Sequence, residues 1–375
     1  MKSEGFVGVL LTALVGVVAV LSLVIGRDAV VSSSTTGAST PVTVDSASSQ
    51  ALLTALETCV TSGTSGCGLE WAKNILETTS PNAAVKLVAS STSPTLQRSC
   101  HSVMHDLGRL SSNGKPLSEV QALIKTGDAF CQFGFQHGVL IGVSDSVSND
   151  QEFTSIMAHA CDAFPRTGNT YSSCVHGIGH AASSRYPDAL NKAGALCASL
   201  GSNVGWCSSG AVMEWGGSSV EALKRSAGGT AKAVATCASF RTVTGDAGYV
   251  ECFREMPAIL FAGQVSRTDI ADWCANRDED SVKESCAVGL GLTFGTELTV
   301  TADMVSNACG AVGSAEYVGH CAATAGGAYY QRDVVRNKDV AKAICAALST
   351  AERTACDKYL AKLVSSIEAT ITSLD

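Results

Sequence analysis

NKAGALCASLGSNVGWC, Asn191 to Cys207, decides how this chain is built. An Ala-rich run of helical composition ends at Cys197, a short polar and glycine-bearing segment follows, and Cys207 opens the next run. The same unit recurs along the sequence. AKAVATC ends at Cys237, DIADWC at Cys274 and DVAKAIC at Cys345, while RDEDSVKESC leads into Cys286. Sorted by this pattern, Cys161, Cys197, Cys237, Cys274, Cys309 and Cys345 are spaced by 36, 40, 37, 35 and 36 residues. Their companions Cys174, Cys207, Cys252, Cys286, Cys321 and Cys356 follow 13, 10, 15, 12, 12 and 11 residues later. Periods of this size mark stacked supersecondary units, and each unit reads as two helices joined by a short loop.

A disulfide needs its two Cα atoms within about 7 Å, which the base of a short αα hairpin provides. The expected bridges are therefore Cys161 with Cys174, Cys197 with Cys207, Cys237 with Cys252, Cys274 with Cys286, Cys309 with Cys321 and Cys345 with Cys356. Cys59 with Cys67 fits the same rule. Cys100 and Cys131 both look like second members of a pair, and they are left to each other by default. Small residues in CAVGLG (Cys286 to Gly291) and CAATAGG (Cys321 to Gly327) let neighbouring helices approach closely. The expected fold is all-α: disulfide-stapled αα-hairpin repeats forming a solenoid or bent helical array. Helical hairpins of about 36 residues, each stapled by a disulfide, resemble the Sel1-like repeats of secreted cysteine-rich bacterial proteins. The resemblance covers Cys161 to Cys356 in period and spacing. The cysteine spacing here varies from 10 to 15, and no functional residue carries over from those repeats.

Outward from the repeats, the amino terminus reads differently. Between Glu4 and Arg27 no charge interrupts GFVGVLLTALVGVVAVLSLVIG. Phe6 to Ile25, at about 1.5 Å per residue, matches a bilayer core of about 30 Å. A cleaved signal peptide would have a shorter apolar stretch and an AxA-like end, whereas here Gly26, Arg27 and Asp28 follow. Residues 1–28 are thus expected to be an uncleaved transmembrane anchor, so that the membrane is one partner of the chain. Residues 29–50 are expected to form a stalk, because 11 of the 18 residues from Ser32 to Ser49 are Ser or Thr and none is aromatic. Residues 51–375 form the cysteine-rich body. All 16 cysteines follow the apolar segment, which places that body in an oxidising compartment, whether extracellular, periplasmic or luminal. The net charge of −8 and a charged fraction of 16% argue against nucleic acid as a partner.

Chemistry concentrates in the histidines. Six of the seven lie between His101 and His180, where uniform scatter would place between one and two. CHSVMHDLG (Cys100 to Gly108) sets His101 and His105 four apart, and CVHGIGH (Cys174 to His180) does the same for His176 and His180. On a helix, such pairs share a face and can grip one metal ion. CQFGFQHG sets His137 six residues after Cys131, as His180 lies six after Cys174, and both segments read CxxGxxH. If these cysteines begin equivalent helices, the imidazoles of neighbouring repeats converge.

His101, His105, His137, His176 and His180 are accordingly the candidate metal ligands, with Asp106 and Glu214 as candidates to orient them. The competing reading is that the histidines satisfy helix ends and glycine-rich contacts. His159 and His320 fall outside the pattern and read as structural. CFREMP (Cys252 to Pro257) reads as a helix kink or start rather than a site.

Oxidised cysteines offer no thiolate, so imidazole would do the work, and imidazole suits Zn, Cu, Fe or Ni. Noncovalent haem is the alternative. No CxxC occurs, which excludes a zinc ribbon, a thioredoxin-type site and covalent CxxCH haem. HExxH, GxSxG and the phosphate-cradling GxxxxGK[ST] are also absent. The leading expectation is an extracytoplasmic protein binding a transition metal or haem through its first repeats. Metal affinity is expected to fall as pH drops through about 6.5, where an ordinary imidazole gains a proton. The alternatives are an interaction scaffold with a protein partner on the repeat surface, or a metal-dependent hydrolase or oxidase.

Overall fold

A computed structural model describes residues 46–64, 66–126, 131–166, 168–223, 229–297, 299–332 and 337–372. The expected anchor, residues 1–28, and most of the expected stalk lie outside the described residues. Among those described, no helix is long and apolar enough to cross a membrane. The first helix among the described residues starts at Ser46, inside the stretch expected to be stalk.

The described residues form α-helices and no strand. In chain order these are α1 (Ser46–Ser62), α2 (Cys67–Thr78), α3 (Pro81–Ala89), α4 (Pro94–Ser112), α5 (Leu117–Thr126), α6 (Gly134–Ser146), α7 (Asp150–Ala160) and α8 (Asn169–Arg185). They continue with α9 (Leu190–Ser199), α10 (Val204–Leu223), α11 (Gly229–Ala262), α12 (Arg267–Ala275), α13 (Asp280–Leu292), α14 (Ala302–Cys309), α15 (Ala315–Arg332), α16 (Lys338–Ala346) and α17 (Thr350–Thr372). Local chemistry sets many of the starts. Ser80 and Ser93 accept hydrogen bonds from the third residue of α3 and α4, and a proline opens each of these helices. Asn149, Ser266 and Thr301 cap α7, α12 and α14 in the same way.

From α4 to α10 a longer helix alternates with a shorter one, and one series of helices packs in sequence order: α2 on α4, α4 on α6, α6 on α8, α8 on α10, α10 on α11, α11 on α13, α13 on α15 and α15 on α17. Many of the shorter helices contact one another in turn, as α5 does α7, α12 does α14 and α14 does α16. One continuous apolar core runs from Leu53 to Ile367.

Helix α11 corrects one expectation. It runs through Pro257, and its break lies at Gly245, whose φ of 68° and ψ of −165° are not helical. The positive φ is one that glycine adopts without strain. Cys237 and Cys252 fall on either side, and in an unbroken helix they would stand about 22 Å apart. Their Cα atoms are 5.6 Å apart, so the chain reverses at Gly245 and α11 is itself a hairpin.

All the expected bridges are present, with Cα separations of 5.2 to 5.8 Å, and no cysteine is free. Cys100 and Cys131 are joined as well. That bridge departs from the hairpin rule: it ties the middle of α4 to the chain entering α6, two long helices of adjacent units. Each closed loop contributes on the order of 2 to 4 kcal/mol. Thiol titration in denaturant without reductant should therefore find no free sulfhydryl among the 16 cysteines, and reduction should abolish the cooperative thermal transition. Several titratable thiols, or an unchanged transition after full reduction, would contradict the staples.

Candidate metal centre

The five histidines come from three consecutive long helices: His101 and His105 from α4, His137 from α6, His176 and His180 from α8. Two glycines set how near α6 stands to α4, Gly177 on α8 would carry a Cβ only 3.0 Å from the His137 ring, and Gly210 lays α10 on α8. A Cβ on Gly138 would lie 2.1 Å from the His105 carbonyl oxygen, one on Gly134 would lie 2.5 Å from that of His101, and one on Gly210 would lie 1.9 Å from that of His176. Only a bare backbone fits at such distances, and each contact is made at a histidine. The side chains beside these contacts therefore share one small volume. Ring centroids lie 4.5 Å apart for His101 and His105, 4.8 Å for His176 and His180, and 5.2 Å for His105 and His180. His137 stands between the two pairs, 5.1 to 5.5 Å from each of the other four rings.

Neighbouring acceptors choose which nitrogen of each ring is bare. His101 Nδ1 donates to the Cys131 carbonyl at 2.9 Å, which leaves Nε2 unprotonated, buried and without a hydrogen-bond partner. His176 donates to the Trp206 backbone carbonyl, and its Nε2 faces His180. His180 Nδ1 lies 3.1 Å from Glu214 Oε2, and a carboxylate only accepts, so here too Nε2 is the bare nitrogen. The two bare nitrogens of His176 and His180 are 3.0 Å apart. His137 Nε2 meets the Ser173 hydroxyl at 3.1 Å, while its Nδ1 and the Nε2 of His105 are buried without partners.

Three sets of side chains bring one ligand atom each to within 4.8 Å of one another: His101, His105 and His137; His137, His176 and His180; His105, His180 and Glu214. Every histidine proposed from the sequence is in this cluster. Glu214 belongs to it as well. Asp106 does not: its carboxylate turns to α2, against Gly68, and burial raises its pKa to about 6. His159 is exposed and pairs with Asp162, and His320 sits far along the chain against Glu284 and Tyr359. Both lie outside the cluster, as expected.

The sequence reading missed a charged group buried beside the histidines. Arg254 Nη2 reaches Ser209 Oγ at 2.6 Å and Glu251 at 2.7 Å, and Glu255 lies 3.1 Å from Arg254 Nε. The CFREMP segment is thus a buried ion cluster as well as a stretch of helix, and the Arg254 charge acts on His176. Two acids flanking one arginine at helical spacing, in Glu251-Cys-Phe-Arg-Glu255, was the available signal. No protein-family model matches the chain, and no curated protein or solved structure matches it significantly.

Burial holds four of these imidazoles, those of His101, His105, His137 and His176, neutral. It lowers His101 to about 4 and takes His105, His137 and His176 well below the ordinary value, with neighbouring imidazoles adding to the effect. The fall in metal affinity expected near pH 6.5 is displaced downward accordingly. An unfolded chain takes up these protons near pH 6.5 while the folded one does not, so this contribution to stability is present above that pH and is lost towards about 4. Burial acts with the opposite sign on Asp106 and Glu251, whose pKa values rise to about 6 and about 7. The comparison with His137→Gln isolates the histidine part. In metal-free protein, the melting temperature should fall more steeply between pH 6.5 and 4.5 for the unaltered chain than for His137→Gln. Equal slopes would contradict the neutral, buried assignment.

Proposed function

We propose that this chain is a membrane-anchored, extracytoplasmic helical-repeat protein that binds a transition metal through the histidines of its first repeats, for capture or transfer. The observation that carries the reading is the 3.0 Å approach of His176 Nε2 to His180 Nε2, with the other nitrogen of each ring already donating. Two lone pairs so placed repel unless a proton or a metal ion lies between them. Two imidazoles on one ion at about 2.0 to 2.1 Å hold their nitrogens about 2.9 to 3.4 Å apart, which is the spacing found. Carbonyl and carboxylate partners behind the rings, at His101, His176 and His180, are the arrangement that fixes the tautomer of a metal-binding histidine.

An ion suits the cluster better than haem, because the five rings pack against one another and not along a slot that could take a porphyrin plane. With every cysteine in a disulfide, the donors are nitrogen with Glu214 at the edge, which suits Zn, Cu or Fe. The eight bridges support an oxidising compartment, and the apolar stretch from Phe6 to Ile25 supports the anchor. Successive packing of the long helices supports a solenoid of αα hairpins, similar in period to Sel1-like repeats.

Protein secreted into an oxidising compartment and purified without a histidine tag should carry metal by elemental analysis. His176→Ala and His180→Ala should each lower the bound metal at least tenfold while the helical circular dichroism is kept. An ion present at about a hundred times its Kd adds about 2.7 kcal/mol, so chelation should lower the melting temperature by several degrees. Protein that holds no metal, and neither binds nor is stabilised by excess zinc, copper or iron, would leave the interaction-scaffold reading in its place.

A further inference from the structure

The two HxxxH pairs meet each other only through His105 and His180, 5.2 Å apart, whereas all four of their rings meet His137. That ring is completely buried at the middle of the cluster, and it belongs both to the set with His101 and His105 and to the set with His176 and His180. The helix that carries it, α6, packs between α4 and α8, so one pair lies to each side. A single four-coordinate ion cannot satisfy both sets. The five histidines and Glu214 bring more donors than the four that a tetrahedral ion accepts. One ion placed with His176 and His180 would also leave the buried Nε2 of His101 and of His105 without partners, at the full desolvation penalty of such groups.

Resting on the metal-binding reading above, we infer that the centre holds two ions, one with His101 and His105 and one with His176 and His180, joined through the two nitrogens of His137. An imidazole has one lone pair in its neutral form and two after losing its N–H proton. Bridging therefore releases that proton to solvent, and one M–N bond forms at Nδ1 and one at Nε2. His137 Nδ1 has no partner to give up, and Nε2 exchanges only the Ser173 hydroxyl. Two dications so close repel each other, and the bridging anion between them offsets part of that repulsion. Glu214, on His180 Nδ1, supplies further negative charge at the edge.

The test titrates metal-free protein with Zn(II) and, separately, Cu(II), following stoichiometry by elemental analysis after desalting and the copper spins by electron paramagnetic resonance. Two ions per chain are expected. In the dicopper form most of the signal should be lost through coupling across the imidazolate. His137→Gln keeps each outer pair but removes the bridge, so any copper it retains should give a full, uncoupled signal. If that variant fails to fold, the stoichiometry and spin count of the unaltered protein decide by themselves. One tightly held ion per chain, or two with full uncoupled signal, overturns the bridge and leaves the metal-binding reading standing. No bound ion overturns both.

Discussion

Backbone touches backbone where the long helices of the first repeats meet, and everything proposed for this chain depends on that contact. Gly134 and Gly138 lay α6 directly on the carbonyl oxygens of His101 and His105, and Gly210 lays α10 on that of His176. Any side chain at these glycines would push the helices apart, since a Cβ there would sit well inside contact distance. At the observed approach, imidazoles from α4, α6 and α8 reach one another with no bulky residue between them. The disulfide from Cys100 to Cys131 joins the same two helices beside His101, so a covalent staple and a steric fit hold one geometry.

Such a centre is expensive to build. Buried polar atoms are normally paired, and here the Nε2 atoms of His101 and His105 and the Nδ1 of His137 are not. Unpaired, neutral, electron-rich nitrogens concentrated in one place are groups that could hold a metal ion, because only a cation or a proton satisfies several lone pairs at once. Burial disfavours the proton. The Arg254, Glu251, Glu255 and Ser209 cluster sets a second polar group in the core beside the first, and no role is assigned to it.

Much of this was legible because the signals were periodic. Cysteine spacing encoded the hairpins and seven of the bridges, with Cys100 and Cys131 left to each other by default, and the shared CxxGxxH of two segments encoded the convergence of imidazoles from adjacent repeats. The errors came from local rules applied without the period. Pro257 suggested a helix break, yet the spacing of Cys237 and Cys252 already required the chain to reverse between them, where Gly245 lies. Asp106 seemed close to the ligands by sequence, but one residue is about 100° around a helix, so it faces away from His105's side of α4. For the ion cluster around Arg254, the two flanking acids are the only signal, and the segment does not disclose that charged side chains at these positions point inward.

Metal on this chain is expected to be held by nitrogen, because every cysteine sulfur is in a disulfide. X-ray absorption at the metal edge of the purified protein tests this most directly. The account predicts a first shell of nitrogen and oxygen at about 2.0 to 2.1 Å, with the multiple scattering of imidazole rings beyond it. A sulfur shell at about 2.3 Å would show thiolate ligands and open disulfides, and would contradict it.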